Sequence, residues 1–218
     1  ADVAAEPHFP AHARPRRGKN IAKNSHLTLF NKAYILNLGN KKPPEQAGKF
    51  HLGGNFLKVI ICDDYKSQSA AGADIIEKIV REKPDCCLGL ATGSSPVGMY
   101  QELARRCCEE GLDFSKVHTV NLDEYIGLEP THDQSYRYFM DSNLFDHINI
   151  DKANTYVAKG TGNIDANITE FQSVIAGSCV ELQVLGVGPD GHLAFNEPGK
   201  ELYWHAHKEV LDESTIDA

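Results

Sequence analysis

Residues 182–199 have the sequence Leu182-Gln-Val-Leu-Gly-Val-Gly-Pro-Asp-Gly-His-Leu-Ala-Phe-Asn-Glu-Pro-Gly199, and the rest of the chain is organised around them. They continue an apolar run, residues 180–187, whose branched side chains predict a buried strand. Glycines and a proline then break the run, and neither a strand nor a helix interior tolerates them together. We therefore predict a turn directly after a core strand, with backbone that a ligand can approach closely.

Three side chains within this turn can carry or tune a proton, namely Asp190, His192 and Glu197. A histidine held by carboxylates ionises in the range that acid–base chemistry needs at neutral pH. A structural turn with incidental polar residues is the alternative, and an isolated Asp-Gly-His triplet would favour it. The additional glycines and the second carboxylate, directly after a core strand, favour a functional site.

The preceding sequence alternates between short apolar runs and segments with helical periodicity. Predicted strands cover residues 59–62, 86–90, 117–122 and 155–157, and predicted helices cover residues 67–82, 96–110, 135–146 and 163–176. Strands that alternate with helices predict an α/β fold, with an open, mainly parallel sheet and helices on both of its faces.

Polar residues follow two further predicted strands. The first group is Thr92-Gly-Ser-Ser-Pro96, in which Ser95 suits a helix cap and Pro96 the first helical position. Free amides at a helix start, together with the hydroxyl groups of Thr92, Ser94 and Ser95, could bind an anion such as phosphate. A well-capped helix without a ligand is an equally good interpretation of this loop by itself.

The second group is Asn121-Leu-Asp-Glu-Tyr125, where burial of Asp123 could raise its pKa towards that of a useful base. The alternative is a turn or helix cap, the common role of an aspartate after a strand. Ligands of open parallel sheets bind beyond the carboxyl ends of the strands. We therefore expect the two groups and the turn after residue 187 to form one site.

Composition restricts the functional classes. The chain of 218 residues contains no apolar run near 18 residues, so we predict no membrane span. Its six cysteines include two adjacent pairs and no Cys-x-x-Cys, which argues against a disulfide framework or a zinc site and favours a reducing cytoplasm. His205 and His207 alternate as metal ligands on a strand would, but without a clear third ligand we interpret them as surface residues and predict no metal.

Residues 1–55 differ from the rest of the chain. They carry a net charge of +6 and several prolines, whereas the remainder carries −14. Arg14-Pro-Arg-Arg17 could be a nucleic-acid or targeting patch. We favour a disordered or non-native leader over residues 1–55, with Leu57 as a possible alternative start, followed by a single domain over residues 56–218.

The turn also carries a resemblance to a known family. Residues 186–199 match Gly-x-Gly-x-x-Gly-His-x-x-Phe-Asn-Glu-Pro-Gly, which resembles the signature of the glucosamine-6-phosphate deaminase family. The sister 6-phosphogluconolactonases share the glycines and the Gly-His pair but not Phe-Asn-Glu-Pro. The similarity begins near Leu57, and it implies a Rossmann-like fold of the deaminase/phosphogluconolactonase type.

The resemblance implies an activity and residue roles. Related enzymes convert glucosamine 6-phosphate and water to fructose 6-phosphate and ammonia, with no cofactor. By position in the motifs, His192 would assist ring opening of the sugar, oriented and tuned by Asp190 and Glu197. Asp123 would move the C2 proton to C1. The phosphate would bind Thr92, Gly93, Ser94 and Ser95, since this loop resembles the phosphate-binding turn of the family.

Two departures from the family pattern affect these expectations. Residues 200–206 replace small polar residues and a Ser-Arg-Thr segment, so that an arginine of the regulatory site in some members is absent. The family also continues beyond the position of Ala218 with a phosphate-binding Arg, a Lys and further strands and helices. The resemblance therefore implies a domain that is incomplete at its C-terminus, and we expect residues 1–218 alone to have little activity.

Two alternative functions stay open. One is a 6-phosphogluconolactonase-like hydrolase, and the other is a non-catalytic module that binds sugar phosphates. We expect a small-molecule sugar phosphate as the partner and predict no nucleic acid and no membrane. A homo-oligomer is compatible with the sequence.

Overall fold

The computed structural model describes residues 22–25, 49–52, 55–58, 60–187, 191–197 and 205–211. The α-helices are α1 (Tyr65–Glu82), α2 (Val97–Glu110), α3 (Tyr136–Asn143) and α4 (Ile164–Gly177). The strands are β1 (Ala22–Ser25), β2 (Lys49–Leu52), β3 (Asn55–Lys58), β4 (Cys87–Leu90), β5 (His118–Asn121), β6 (Glu124–Tyr125), β7 (Thr155–Tyr156), β8 (Val180–Gln183) and β9 (His207–Val210).

The central sheet has the strand order β7-β5-β4-β8, and all of its neighbouring strands are parallel. Leu90 pairs with Asn121 of β5, and Gly89 pairs with Gln183 of β8. The three longest strands of this sheet, β4, β5 and β8, therefore end at the same edge. The predicted open parallel sheet is confirmed.

Helices cover both faces of this sheet, because alternate strand residues bury opposite faces. One core contains residues of β4 together with apolar positions of α1 and α2, such as Ile76, Leu88 and Leu103. The other core packs Val120 of β5 against Phe171 and Ile175 of α4. The prediction of helices on both faces is therefore also confirmed.

An ion-pair network around the buried Arg106 fixes α1 against α2. Arg106 is 7% exposed and lies within 2.6 to 2.8 Å of carboxylate oxygens of Asp74, Glu77 and Glu102. The guanidinium group thereby bridges the two helices and satisfies its own donors. This attachment matters for the site because α1 and α2 begin beside each other at the carboxyl edge of the sheet.

The predicted strand over residues 59–62 is wrong. Residues 60–62 are irregular, and Ile60 and Ile61 are 47% and 36% exposed. Extended backbone lies earlier, in β3, which pairs with β2 in an antiparallel hairpin. An apolar run forms a buried strand only where a sheet edge pairs with it. Residues 60–62 belong to none of the described sheets, and the edge strand β8 pairs only with β4 among the described residues.

Two other predicted elements end early. The strand predicted over residues 180–187 ends at Gln183, although the Val184 amide still donates to the carbonyl oxygen of Gly89 at 2.8 Å. The helix predicted over residues 135–146 ends at Asn143 and is followed by a short 3₁₀ turn. β1 and β2 lie within residues 1–55, and the disordered or non-native leader proposed for this range stays a prediction.

Candidate active site

The site lies at the carboxyl edge of the sheet, where the segments after β4, β5 and β8 emerge. Asn121, fully buried at the end of β5, donates from its side-chain amide to the carbonyl oxygen of Leu90 at 3.0 Å. This hydrogen bond joins the ends of β4 and β5. The segment that begins at Thr92 and the one that contains Asp123 therefore start from fixed, adjacent positions.

Two consecutive carboxylates follow β5, and both are buried, Asp123 at 7% exposure and Glu124 at 3%. The Glu124 carboxylate accepts backbone hydrogen bonds from Tyr125 at 2.8 Å, Tyr136 at 2.9 Å and Arg137 at 3.0 Å. Two of these amides belong to the first turn of α3, where the helix dipole also favours a negative charge. Glu124 is thereby fixed on α3, and it anchors Asp123 through the shared backbone.

The segment after β4 forms an exposed turn. Gly93 and Ser94 are exposed, and Gly93 has a φ of 93°, which favours glycine. α2 begins at Val97, and the preceding Pro96 is already helical with φ −82° and ψ −7°. The N-cap position therefore falls on Pro96, one residue later than predicted, and the Pro96 side chain makes no capping hydrogen bond.

A tyrosine from α1 holds this turn instead. The Tyr65 hydroxyl accepts from the Gly98 amide at 2.8 Å, and it lies 3.0 Å and 3.2 Å from the carbonyl oxygens of Ser94 and Ser95, which accept from it. A Cβ at Gly98 would lie 2.8 Å from the Tyr65 ring, so the approach needs glycine. Tyr65 thereby occupies the Gly98 amide of the first turn of α2, so this amide cannot bind an anion.

The segment after β8 is described at residues 184–187 and 191–197 and is tightly turned. Leu193 forms isolated antiparallel bridges with Val187 and Asn196. Ala194 has a φ of 54°, uncommon for a residue with a side chain and a form of strain that often marks functional loops. His192 and Glu197 lie half-buried on this loop. Asp190 lies outside the described residues.

Aromatic rings connect this loop to the rest of the site. The Phe195 ring stacks on that of Tyr136, with centroids 5.3 Å apart and an interplanar angle of 11°. The Tyr125 ring lies against both, at 5.1 Å from Tyr136 and 5.9 Å from Phe195. The Tyr136 hydroxyl lies beside the side chains of Tyr125 and Thr92, and burial raises the pKa of Tyr136 well above its usual value.

The two histidines considered as metal ligands have separate partners. His205 Nδ1 lies 2.9 Å from the side-chain nitrogen of Gln172, and His207 Nε2 lies 3.0 Å from a Glu209 oxygen. Across the described part of the chain, no three His, Cys, Asp or Glu side chains are grouped as a metal site would require. No helix within that same part is long and apolar enough to cross a membrane.

Sequence reasoning did not identify Tyr65 and Tyr136. Both stand at the first position of a helix, and neither belongs to a motif with a recognisable spacing. Tyr65 is 29 residues away from Ser94 in sequence, and its contact therefore depends on the packing of α1 on α2. The roles predicted for Asp123, His192, Glu197 and residues 92–95 stay predictions.

An open parallel sheet with polar loops at the carboxyl ends of its strands defines an α/β protein that binds its ligand at that edge. Residues 66–213 match the family described as glucosamine-6-phosphate isomerases/6-phosphogluconolactonase. That match covers more than half of the chain, so the chain belongs to this family.

Individual relatives agree with this assignment. The chain is 48% identical over 164 residues to a glucosamine-6-phosphate deaminase of Clostridium perfringens (strain 13 / Type A), covering 74% of this chain and 68% of the relative. It is 45% identical over 165 residues to the enzyme of the same name from Thermoanaerobacter sp. (strain X514), covering 74% and 65%.

Solved structures give the same fold. A monomeric glucosamine-6-phosphate deaminase has a TM-score of 0.70 at 36% identity, over 73% of this chain and 67% of that one. A 6-phosphogluconolactonase from Thermotoga maritima has a TM-score of 0.52 at 21% identity, over 69% and 75%. The second similarity concerns the fold alone.

Proposed function

We propose that the protein converts glucosamine 6-phosphate and water to fructose 6-phosphate and ammonia by aldose–ketose isomerisation and deamination. The observation that carries the proposal is the convergence of three segments at one edge of the sheet. They bring the buried Asp123, the hydroxyl-rich turn at residues 92–95 and the loop of His192 together. The names of the relatives at 45–48% identity support the same reaction.

The reaction begins with opening of the sugar ring. A histidine suits the transfer of a proton between the C1 hydroxyl and the ring oxygen, and we assign this role to His192. Glu197 and Asp190 would orient and tune the imidazole. The phosphate would bind at residues 92–95, which holds the opened chain across the edge of the sheet.

Isomerisation then needs a base beside a carbon acid. Asp123 takes the C2 proton and returns it to C1, which leaves an imine at C2. Water adds to this imine, and ammonia leaves as the C2 carbonyl of fructose 6-phosphate forms. Glu124 is already held by three backbone amides, so we assign the base to Asp123 and not to its neighbour.

The cellular setting belongs to this proposal as well. Deamination of an amino-sugar phosphate fits the catabolism of N-acetylglucosamine in the cytoplasm. We propose no metal and no organic cofactor, because the proton transfers need only the side chains named above. The similarity to a monomeric enzyme makes a single subunit compatible with activity.

A lactonase is the second candidate, since structures of that class share the fold. Phe195-Asn-Glu-Pro198, which resembles the deaminases and not the lactonases, argues against it. The test measures ammonia released from glucosamine 6-phosphate by the full-length protein, beside hydrolysis of 6-phosphogluconolactone.

We expect the first activity and not the second. Hydrolysis of the lactone without ammonia release would overturn the proposal. Binding of the sugar phosphate without any turnover would favour the non-catalytic module.

A further inference from the structure

Tyr136 contacts all three segments of the site. It is the first residue of α3, and its ring stacks on Phe195 of the loop after β8 at 5.3 Å. Its hydroxyl lies beside the side chains of Tyr125, in the segment after β5, and of Thr92, after β4. No other contact described for this edge of the sheet joins the three segments through a single side chain.

The position of Tyr136 is itself fixed from the backbone. Its amide donates to the Glu124 carboxylate at 2.9 Å, and the Ser135 hydroxyl caps the same turn by accepting from the Tyr138 amide at 3.0 Å. Glu124 is buried, so this charged hydrogen bond is strong and keeps the start of α3 beside Asp123. The ring and the hydroxyl of Tyr136 are therefore held in place and can fix the positions of the segments that they contact.

We infer that Tyr136 is a positioning residue that aligns the turn at residues 92–95 and the His192 loop with Asp123. The inference rests on the proposed function, because it assigns the phosphate to that turn. The hydroxyl acts on Thr92 and hence on binding of the phosphate. The ring acts on Phe195 and hence on the loop that opens the sugar. If Tyr136 only filled the core with its ring, removal of its hydroxyl would leave KM unchanged.

Two substitutions separate these contributions. Tyr136→Phe keeps the ring and removes the hydroxyl with its polar contacts to Tyr125 and Thr92, so we expect KM for glucosamine 6-phosphate to rise about tenfold while kcat changes much less. Tyr136→Leu also removes the stacking on Phe195, and misplacement of the loop should lower kcat by a further factor of about 10. The matched control is Tyr138→Phe, since Tyr138 lies exposed on the same helix.

A double-mutant cycle tests the route through Thr92. If the hydroxyl acts on the phosphate through Thr92, Tyr136→Phe should raise KM much less in a Thr92→Val background than in the wild type. Thermal midpoints are measured for every variant, because a residue with only a structural role would lower the midpoint without a selective change in KM.

The outcomes are distinct. Wild-type KM in Tyr136→Phe overturns the inference, whatever the behaviour of Tyr136→Leu, and so do fully additive effects in the cycle. If the wild-type full-length protein releases no ammonia from glucosamine 6-phosphate, the proposed function fails and the inference fails with it. An active wild type with an unaffected Tyr136→Phe leaves the proposed function standing and removes Tyr136 alone.

Discussion

The segments that follow β5 and β8 both carry acid–base side chains, yet different forces hold them. After β5, the buried Glu124 accepts three backbone hydrogen bonds, and Asn121 joins the strand end to β4. After β8, the loop at residues 191–197 is mostly half-buried. Its described contacts with the rest of the protein include a bridge between Leu193 and Val187 and the packing of the Phe195 ring on Tyr136 and Tyr125.

This difference matches what each group has to do. A base that removes a proton from carbon works only at a fixed distance, and charged hydrogen bonds to backbone amides provide such rigidity. A loop that acts on a closed ring has to admit the sugar. Attachment through side-chain packing, as by Phe195, permits local opening without unfolding the sheet. We therefore expect loss of the anchoring contacts after β5 to lower stability, and loss of the contacts after β8 to affect activity and local opening.

The largest expected effect is that of Asp123→Asn. The substitution keeps the shape of the side chain and removes its basicity, so kcat should fall by about 10³–10⁴-fold. Exchange of the C2 proton of glucosamine 6-phosphate with solvent should almost disappear, while binding of the substrate stays near normal. Exchange is followed by NMR in deuterated water. Wild-type exchange in the variant would rule out Asp123 as the base.

His192→Gln should have the next largest effect. Loss of one general acid–base group typically costs about 10²–10⁴-fold, and we expect the lower part of this range because the open-chain sugar also forms in solution. The defect should shrink when an open-chain analogue replaces the cyclic substrate. Turnover is compared between the two forms, and an equal loss with both would contradict a role in ring opening.

Glu124→Gln tests the rigid side of the comparison. The carboxylate accepts three amides and a carboxamide oxygen carries no charge, so we expect the free energy of unfolding to fall by about 1.5–3 kcal/mol. Denaturant unfolding measures the change, and Glu129→Gln, at an exposed position of the following loop, is the control. If both variants were equally stable, Glu124 would not anchor this segment.

The sequence predicted the elements whose signal is local. The apolar runs that became β4, β5 and β8 are bounded by loop residues, and Gly111, which ends α2, adopts the left-handed conformation that glycine favours at a helix end, with φ 66°. The run at residues 59–62 has the same local pattern and forms no strand over residues 60–62. The local pattern shows that a segment is apolar, but it does not show whether a sheet edge will pair with that segment.

The same distinction applies to the site. Thr92 and Asp123 lie after neighbouring parallel strands, and such strands end at one edge, so their proximity followed from the strand order. The contacts of Tyr65 and Tyr136 join segments far apart in sequence through the packing of whole helices. No spacing rule predicts such contacts, because a rotation of one helix would abolish them without any change in the motif.

Phe195→Leu has the smallest expected effect and tests most directly how the loop after β8 is held. Stacked aromatic pairs contribute about 0.5–1.5 kcal/mol each, so we expect a modest loss of global stability. Hydrogen exchange at residues 191–197 should nevertheless accelerate, and kcat should fall, because the ring packs the loop against α3. The matched control is Phe171→Leu, which removes a similar stack with Tyr156 from the core beneath α4. That variant should lose at least as much stability, since Phe171 is fully buried, while exchange in the loop changes only as much as global unfolding requires. If Phe195→Leu lowered stability more than Phe171→Leu and left the exchange of the loop unchanged, the loop after β8 would be as firmly built into the fold as the segment after β5.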